Sequence, residues 1–477
     1  MYGFKKADMI IYNTLTKRKE EFKPIDPPNV MMYVCGPTVY DYFHIGNARS
    51  FVMADIIRRY LLFKGYNVKY VMNITDVDDR IIQKSIDQKK DSSEIAEHYT
   101  NSFFEDIEKL KIKRADIYPR ATAHMQDIIT MIEKLEKKGI AYNVKGNVFY
   151  DVSKFKGYGK LSGKKIDELE SGARIEVNEE KKNPLDFSLW KKAKEGEPYW
   201  ESPWGNGRPG WHIECSAMSC RHLGESFDIH AGGNDLIFPH HENEIAQSEG
   251  ANGKQFVNYW IHFGFLNINE EKMSKSLGNF FTTREVLEKY PAEALRLLYA
   301  QAHYGGPLNF TEDLLAGTRK GLEKLNNLAE LVEREINTSE GSNSPEFNFD
   351  KYLNEFIESM NDDFNTPRAV AAIFDFGKEV NRVIAENENI NKEFYKNVKE
   401  FLNKTAVEVL GILDFSSLKA ESNGRLENDL IELLIKLRQE AKLEKNFRLA
   451  DKIRDELKEI GILLQDGKEK TTYKISK

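Results

Sequence analysis

A strand, a helix and a second strand follow one another within residues 29–75, and this alternation constrains the fold more than any other feature of the chain. The run NVMMYVCG is short and apolar and stops at Gly36-Pro37, as a buried strand does. Residues 47–64 place apolar side chains on one face of a helix, and NVKYVMNIT is typical of a second strand. Such a βαβ unit favours a doubly wound parallel sheet with helices on its faces.

The same alternation resumes at SFDIHAGG and QFVNYWIHFGFLNI, so we expect the sheet to continue there after an interruption. The intervening stretch is rich in lysine and tryptophan and is interpreted as an inserted lobe. After residue 311 the pattern becomes helical and charged, with predicted breaks at NTSEGSNSPEFNFD and LKAESNGRLEND. The prediction is therefore an α/β, Rossmann-like domain with an inserted lobe, followed by a helical bundle and a small C-terminal domain. Its bounds are 1–120, 121–205, 206–311, 312–415 and 416–477.

The composition is that of a folded globular chain. Hydrophobic residues make up 40% and charged residues 30% of the 477 residues. The N-terminal segment lacks an uninterrupted apolar run, and no later stretch is long enough to span a bilayer, so we expect a cytoplasmic protein without membrane contact. The net charge of −7 provides no general attraction for nucleic acid. We expect a monomer, because no long apolar stripe is left for a partner.

Two distant segments carry groups that suit phosphate chemistry. DYFHIGNAR follows the first predicted strand and opens the helix, where backbone N–H groups and the positive end of the helix dipole favour an anion. Its candidates are His44, Gly46 and Asn47. The second segment, EEKMSKSLGN, is a glycine-ended loop whose candidates are Lys272, Ser274 and Lys275. Taken singly, the first is equally consistent with capping or packing, and the second with a charged surface loop.

Together, the two segments resemble the paired signature motifs of class I aminoacyl-tRNA synthetases, in order and in the elements that carry them. The resemblance implies an enzyme that forms an aminoacyl-adenylate from Mg-ATP. It implies that Lys272 and Lys275 stabilise the departing pyrophosphate while His44 donates to phosphate oxygens, because charge builds on the phosphates during the reaction. The family motif usually ends in histidine where this chain has Asn47, which can still donate a hydrogen bond. After the loop, Thr282 and Glu285 form a capping-box pattern that predicts a helix start.

The run FPHHENEIAQ contains candidate metal ligands. His240 and Glu244 are four residues apart, so on a helix begun near Pro239 they share a face and can bind one ion. Cys35 ends the first predicted strand, and Cys215 shortly precedes the strand SFDIHAGG. Both cysteines can therefore reach the carboxyl edge of the sheet, where ligands of such folds bind.

Five longer segments resemble the motifs of cysteinyl-tRNA synthetases, and the similarity runs through nearly the whole chain. They are MYVCGPTVYDYFHIGNARS, NITDVDDRII, SPWGNGRPGWHIECSAMS, HAGGNDLIFPHHENEIAQSE and KMSKSLGNF. The resemblance implies that Cys35, Cys215, His240 and Glu244 hold one zinc ion, which binds the thiol of the substrate L-cysteine. Zinc stabilises a bound thiolate far more readily than an alcohol, which would exclude serine.

Cys220 and His241 are alternative ligands in the same segments. Five residues along a helix turn the direction by about 140°, so Cys215 and Cys220 do not share a face. We interpret Cys220 as a small buried apolar residue. Of the two adjacent histidines, only His240 has a glutamate four residues later that also matches the family pattern.

The resemblance assigns further positions to the substrates. Thr75 and Trp211 match positions that line the amino-acid pocket, although a strand-end threonine is commonly a cap and a tryptophan commonly belongs to a core. Gly232, Gly233 and Asp235 end a predicted strand and would let adenosine lie close to the backbone, with the carboxylate available to a hydroxyl or ammonium group. A plain tight turn is the alternative interpretation of this segment.

The C-terminal segment ADKIRDELKEIGILLQD resembles the anticodon-binding end of cysteinyl-tRNA synthetases, although its alternating charges are equally typical of a solvated helix face. Three functions follow from the sequence. The first is charging of tRNA(Cys) with cysteine at its terminal adenosine. The second is an ATP-dependent ligase that joins cysteine to a sugar amine, and the third is a non-catalytic, zinc-containing RNA-binding protein.

Overall fold

The computed structural model describes residues 9–164, 180–268, 271–272, 281–466 and 471–475. The chain forms two compact units. The first comprises Met1–Leu328 and Glu335–Leu413, and the second comprises Ala329–Arg334 and Asp414–Lys477. Among the described helices, none combines the length and hydropathy needed to cross a membrane.

The secondary-structure elements are numbered in chain order. The strands are β1 Ile10–Asn13, β2 Arg18–Glu21, β3 Asn29–Val34, β4 Asn67–Met72, β5 Ala141–Val144, β6 Asn147–Tyr150, β7 Phe187–Lys192, β8 Gly207–Pro209, β9 Phe227–Gly233, β10 Val257–Phe263, β11 Leu266–Ile268, β12 Glu271–Lys272, β13 Leu308–Phe310, β14 Ile462–Asp466 and β15 Thr471–Ile475. The helices are α1 Ile45–Phe63, α2 Asp79–Gln88, α3 Ser92–Lys109, α4 Met125–Lys137, α5 Trp211–Leu223, α6 Glu242–Asn252, α7 Thr283–Leu287, α8 Ala292–Ala300, α9 Glu312–Thr338, α10 Phe349–Asn361, α11 Thr366–Glu386, α12 Lys392–Leu402, α13 Phe415–Leu443 and α14 Phe447–Glu459.

The central sheet of the first unit has the strand order β10-β9-β3-β4, and all three pairings are parallel. Helix α1 connects β3 to β4, which confirms the βαβ unit and the α/β fold class. The helix begins at Ile45, within the segment DYFHIGNAR that was predicted to open it, and the His44 side chain caps it by accepting hydrogen bonds from the backbone N–H groups of Gly46 and Asn47. Apolar residues of α1 and of the strands are buried against one another, as the periodicity predicts.

A second, antiparallel sheet of order β5-β6-β7-β8 lies in the stretch between the two halves of the parallel sheet. It shares a hydrophobic core with α4, to which Ile128, Ile132 and Trp190 contribute. The segment QFVNYWIHFGFLNI, where the pattern was expected to resume, forms the two strands β10 and β11, separated by Gly264 and Phe265. Strand β11 pairs antiparallel with β12 and parallel with β13.

The C-terminal half is helical, as predicted. The first predicted break is confirmed, since no described helix covers residues 339–348 between α9 and α10. The second, at residues 418–429, is wrong, because α13 runs through it from a cap in which Asp414 Oδ1 accepts the Ser416 N–H at 2.9 Å. A single glycine inside a helix costs only about 1 kcal/mol, so it does not end a helix that is otherwise supported.

The second unit contains α13, α14 and the hairpin β14-β15. Its small core is formed by Ile431, Ile435, Leu457 and Ile462. Tyr473 packs against this core from β15. The aromatic ring therefore contributes to the folding of this unit.

Candidate active site

The carboxyl edge of the parallel sheet carries a pocket of about 340 Å³. Most of the predicted nucleotide and substrate residues lie in its wall, together with one predicted metal ligand. They are Cys35, His44, Gly46, Asn47, Trp211, Gly232, Gly233 and Asp235. This location is where a doubly wound sheet binds its ligands.

His44 caps the helix that begins in the pocket wall. Its Nδ1 accepts the backbone N–H groups of Gly46 and Asn47 at 3.1 and 3.2 Å, so these two donors point to the histidine rather than to an anion as predicted. A neutral imidazole that accepts at Nδ1 carries its proton on Nε2. The capping and the phosphate-binding interpretations are therefore compatible, because the cap makes Nε2 a hydrogen-bond donor.

The two signature segments meet in the fold. The Ile45 N–H donates to Phe281 O at 3.2 Å, and the Thr283 N–H donates to Phe43 O at 3.1 Å. The predicted capping box at Thr282 and Glu285 is present, and it starts α7. The residues that follow the lysine loop are thus hydrogen-bonded to the residues on either side of His44.

The structure locates only part of the lysine segment. Lys272 is in β12, where its backbone pairs with that of Asn267 in β11. Ser274 and Lys275 lie outside the described residues. Their roles in ATP binding therefore stay predictions.

Two glycines permit close packing at the site. A Cβ on Gly36 would lie 1.8 Å from the backbone oxygen of Asn73, so no side chain fits between Cys35 and the next strand. A Cβ on Gly232 would lie 2.7 Å from Cε1 of His241. The backbone at the end of β9 therefore lies directly against the histidine cluster, and the alternative of a plain turn does not account for this contact.

The four predicted metal ligands converge. Cys35 follows β3, Cys215 is on α5, and His240 and Glu244 lie in the helical turn before α6 and on α6. One ligand atom from each residue lies within 4.8 Å of the others, and all four residues are buried. Two thiols, one imidazole and one carboxylate are donors that zinc accepts in proteins.

Individual contacts define this cluster further. His240 Nε2 is 3.0 Å from Glu244 Oε1, and Cys35 Sγ is 3.7 Å from the same oxygen. The ring of Trp211 lies 4.2 Å from that of His240, measured between centroids. Trp211 is therefore shared between the pocket wall and the cluster, which supports its predicted place beside the amino acid.

The electrostatics of the cluster suit a cation. A hydrogen bond from Cys35, opposed by burial, lowers the pKa of Cys215 to about 6. Burial alone would raise the pKa of Glu244, but His230 and His240 hold it at about 2. At neutral pH the cluster therefore holds a thiolate and a carboxylate, the forms in which these groups bind metals. Burial opposes a high pKa at His240, but Glu244 and Cys215 raise it to about 10, so a metal that binds His240 must displace a proton.

The two alternative ligands differ in their surroundings. Cys220 is partly buried on α5, and Asn252 Nδ2 donates to its sulfur at 3.7 Å. Burial raises the pKa of Cys220 to about 12, so it remains a thiol, and among the described residues it joins no converging group. His241 does join one, with Cys35, His230 and Glu244, and its Nε2 is 3.3 Å from Cys35 Sγ. His241 thus remains an alternative ligand.

Three histidines that contact the cluster were not among the residues predicted from the sequence. His230 Nε2 is 2.9 Å from Glu244 Oε2, His212 Nδ1 is 2.9 Å from His240 Nδ1, and His262 Nε2 is 2.8 Å from His241 Nδ1. His230 and His262 are in the buried parallel strands β9 and β10, which show no polar alternation. The only available signal was histidine itself, a rare residue in an otherwise apolar buried strand.

Thr75 is buried just beyond the end of β4, three residues after its last residue. Its Oγ1 accepts a hydrogen bond from Asn73 Nδ2 at 3.1 Å, and it is absent from the described lining of the pocket. Burial raises the pKa of Glu214, the residue next to Cys215, and the nearby Thr75 opposes this rise. The geometry therefore places Thr75 behind the wall, and a direct contact with a substrate stays a prediction.

Comparison with protein families supports this geometry. A family model described as "tRNA synthetases class I (C) catalytic domain" matches residues 21–320, and one described as "DALR domain" matches residues 355–414. A structure of Mycobacterium tuberculosis methionyl-tRNA synthetase with methionyl-adenylate aligns with a TM-score of 0.62 over 80% of this chain and 91% of that one, at 16% identity. The fold and the pocket therefore define a class I aminoacyl-tRNA synthetase.

Relatives of similar length narrow the class. The Cysteine--tRNA ligase of Thermococcus gammatolerans is 51% identical over 97% of this chain and 98% of its own length. That of Clostridioides difficile is 50% identical over 98% of this chain and 100% of its own length. The chain belongs to the cysteine--tRNA ligase family.

Proposed function

We propose that this protein activates L-cysteine with Mg-ATP to cysteinyl-adenylate and pyrophosphate, and then transfers cysteine to the terminal adenosine of tRNA(Cys). The observation that carries the proposal is the buried set of Cys35, Cys215, His240 and Glu244 beside a pocket lined by His44. A thiol-selecting centre and a phosphate-binding motif within one site suit an enzyme that activates cysteine.

The resident metal in this proposal is one zinc ion, held by Cys35, Cys215, His240 and Glu244. The donor types and their mutual distances within 4.8 Å fit zinc. When bound, zinc would supply a preference for a substrate thiolate over an alcohol. Four protein ligands normally close a zinc site, so we propose that Glu244 is the ligand that yields to the substrate sulfur.

Adenylate formation relies on residues of the two signature segments. The His44 Nε2–H, oriented by the cap at Nδ1, would donate to a phosphate oxygen of ATP. Asn47 would add a second donor from the same helix turn. Lys272, Ser274 and Lys275 would bind the phosphates and stabilise charge on the departing pyrophosphate.

The remaining pocket residues would position ATP and cysteine relative to each other. Gly232 and Gly233, in the pocket wall, would let adenosine lie close to the backbone at the end of β9. Asp235 presents a carboxylate to a ribose hydroxyl or to the substrate ammonium group. Trp211, in contact with the His240 ring, would cover the amino acid and exclude water, with Thr75 supporting the wall.

The second unit would bind the tRNA. Its helix α14 carries basic residues interleaved with acids, a pattern that suits contact with the anticodon stem and loop, whose unpaired bases are recognised by stacking and by their edges. The basic residues are Arg448, Lys452, Arg454 and Lys458. Deleting residues 414–477 is therefore expected to lower tRNA charging and to leave cysteine activation in place.

A matched pair of cysteine substitutions on α5 tests the zinc assignment. Cys215→Ser is expected to lose bound zinc and to raise the KM for cysteine in ATP–pyrophosphate exchange. Cys220→Ser changes a residue on the same helix but outside the converging group, and it is expected to keep the bound zinc and the parent KM for cysteine. If Cys215→Ser kept its zinc and its discrimination against serine, the ligand set would be wrong.

The exchange assay also separates the proposed function from its alternatives. We expect exchange that depends on cysteine. Serine should not support it, and a zinc chelator should lower its rate. Absence of exchange would favour a non-catalytic RNA-binding protein. Charging of purified tRNA(Cys) distinguishes the tRNA ligase from a ligase acting on a sugar amine, which would give exchange without charging.

A further inference from the structure

Arg49 on α1 is a fully buried cation with an unusual set of partners. Its Nη1 donates to Gly264 O and Phe265 O, both at 2.9 Å. Its Nη2 donates to His303 O at 3.0 Å and to Gly306 O at 2.7 Å. In the described part of the chain, all acceptors of this guanidinium are backbone carbonyl oxygens, so it ties two loops to the helix that begins at His44.

Those two loops lead directly into the sheet that carries the lysine segment. Gly264 and Phe265 join β10 to β11 and form part of the pocket wall. His303 and Gly306 precede β13. Strand β11 pairs with β13 on one side and with β12 on the other, and β12 contains Lys272. These pairings connect the loops held by Arg49 to Lys272, the base of the lysine segment.

The packing around this junction leaves no room for adjustment. A Cβ on Gly264 would lie 2.1 Å from Gly306 O, so the two loops are in direct contact beneath the guanidinium. Burial lowers the pKa of Arg49 to about 10, which still leaves it charged at neutral pH. A buried cation is costly unless it is hydrogen-bonded, and here four carbonyl oxygens accept from the two Nη atoms, while the buried Nε has no hydrogen-bond partner among the described residues.

We propose that Arg49 is a positioning residue for adenylate formation: it holds the pocket wall and the base of the lysine segment in register with His44 and Asn47. The inference rests on the proposed function and deepens it by naming a residue that acts through others. A lysine cannot replace it, because one ammonium group cannot match a planar fork that reaches four carbonyls. Misplacing a catalytic group by about 1 Å can cost about 100-fold in rate.

Arg296 on α8 provides a matched control. It is equally buried and donates to Leu410 O and Leu110 O, and it also pairs with Asp55 at 2.8 Å. Arg296→Lys therefore disrupts a comparable network that does not reach the pocket wall. Both substitutions are expected to lower the thermal midpoint of unfolding.

The experiment compares Arg49→Lys, Arg296→Lys and the parent full-length protein in cysteine-dependent ATP–pyrophosphate exchange. Arg49→Lys is expected to lower kcat by about 100-fold while the KM for cysteine and the zinc content stay at parent values. Arg296→Lys is expected to keep the parent kcat. Combining Arg49→Lys with Lys272→Ala should cost less than the product of the two single losses, because both changes disable the same segment.

Gly264→Ala tests the same junction without changing Arg49, because the added methyl group separates the two loops. This substitution should reproduce the loss in kcat. A parent-like kcat in folded Arg49→Lys overturns the inference. If that variant does not fold, a parent-like kcat in Gly264→Ala overturns it. If neither folds under conditions in which Arg296→Lys does, the role of the junction is structural and the inference is also overturned. Absence of exchange in the parent would instead refute the proposed function.

Discussion

Substituting His230 tests the metal centre without changing any of the four ligands predicted from the sequence. Its Nε2 lies 2.9 Å from Glu244 Oε2, while the other carboxylate oxygen, Oε1, faces His240 at 3.0 Å. His230→Ala leaves Oε2 buried without this donor. The carboxylate then loses both its orientation and part of the stabilisation that holds its pKa at about 2, although burial opposes that low value.

The expected loss can be worked from this contact. Leaving a buried acceptor without its partner costs about 1–3 kcal/mol. At about 1.4 kcal/mol for each factor of ten, this corresponds to a decrease in zinc affinity of about 5- to 150-fold. Loss of an outer hydrogen-bond partner of a metal ligand typically costs about 10- to 100-fold, which agrees. His230→Ala should therefore bind zinc about 10- to 100-fold more weakly than the parent.

The assay is a zinc titration against a chromophoric chelator at fixed pH, with the KM for cysteine as a second measurement. His230→Gln, whose amide can donate in place of Nε2–H, is expected to recover most of the affinity. His262→Ala, which removes a partner of His241 rather than of Glu244, should cost less. Unchanged zinc affinity in His230→Ala would refute the reasoning.

The same substitutions distinguish between the two possible sets of metal ligands. If the metal binds Cys35, His230, His241 and Glu244, then His230→Ala removes a ligand and the loss should exceed the range for an outer partner. A cobalt-substituted parent would then show one thiolate ligand in its charge-transfer absorption instead of two. Two thiolates and the smaller loss support the group that contains Cys215.

Two further predictions concern the catalytic loop and the stability of the first unit. Lys275→Ala should slow adenylate formation with little change in the KM for cysteine, measured by pyrophosphate exchange; a higher KM with normal kcat would contradict the assigned role. Asp55→Asn should destabilise the first unit by about 3–5 kcal/mol, because Asp55 pairs with Arg59 at 2.7 Å and Arg296 at 2.8 Å in a buried network. Urea unfolding followed by tryptophan fluorescence measures the stability of the first unit, since all 5 tryptophans belong to it. An unchanged midpoint would show that the two ion pairs make no net contribution to stability.

Local patterns were enough to predict the parallel sheet. The apolar runs of β3 and β4 and the helical stripe between them are physical requirements of a buried βαβ unit, so they are visible in the sequence. The sequence left the cap of α1 undecided between capping and packing, because histidine is not among the usual N-cap types. The predicted break at residues 418–429 failed because polar residues and one glycine are tolerated in a long helix.

The residues of the site also divide into those that the sequence could predict and those that depend on the fold. His240 and Glu244 could be paired from their spacing along one helix, and the resemblance to a known family supplied the two cysteines. The contact of His230 with Glu244 and the four carbonyls around Arg49 depend on strands and loops brought together by the fold. Such contacts join residues up to 257 positions apart, and no local periodicity encodes them.

Cys35 and His44 are the two ends of a short segment that crosses the pocket wall, and Gly36 within it leaves no space against Asn73 O. We therefore expect a displacement of one end to affect the other. With the roles proposed above, a substitution near Cys35 that changes which amino acid is accepted is expected to alter nucleotide binding at His44 as well. Engineering a new specificity here would require compensating substitutions along the whole segment.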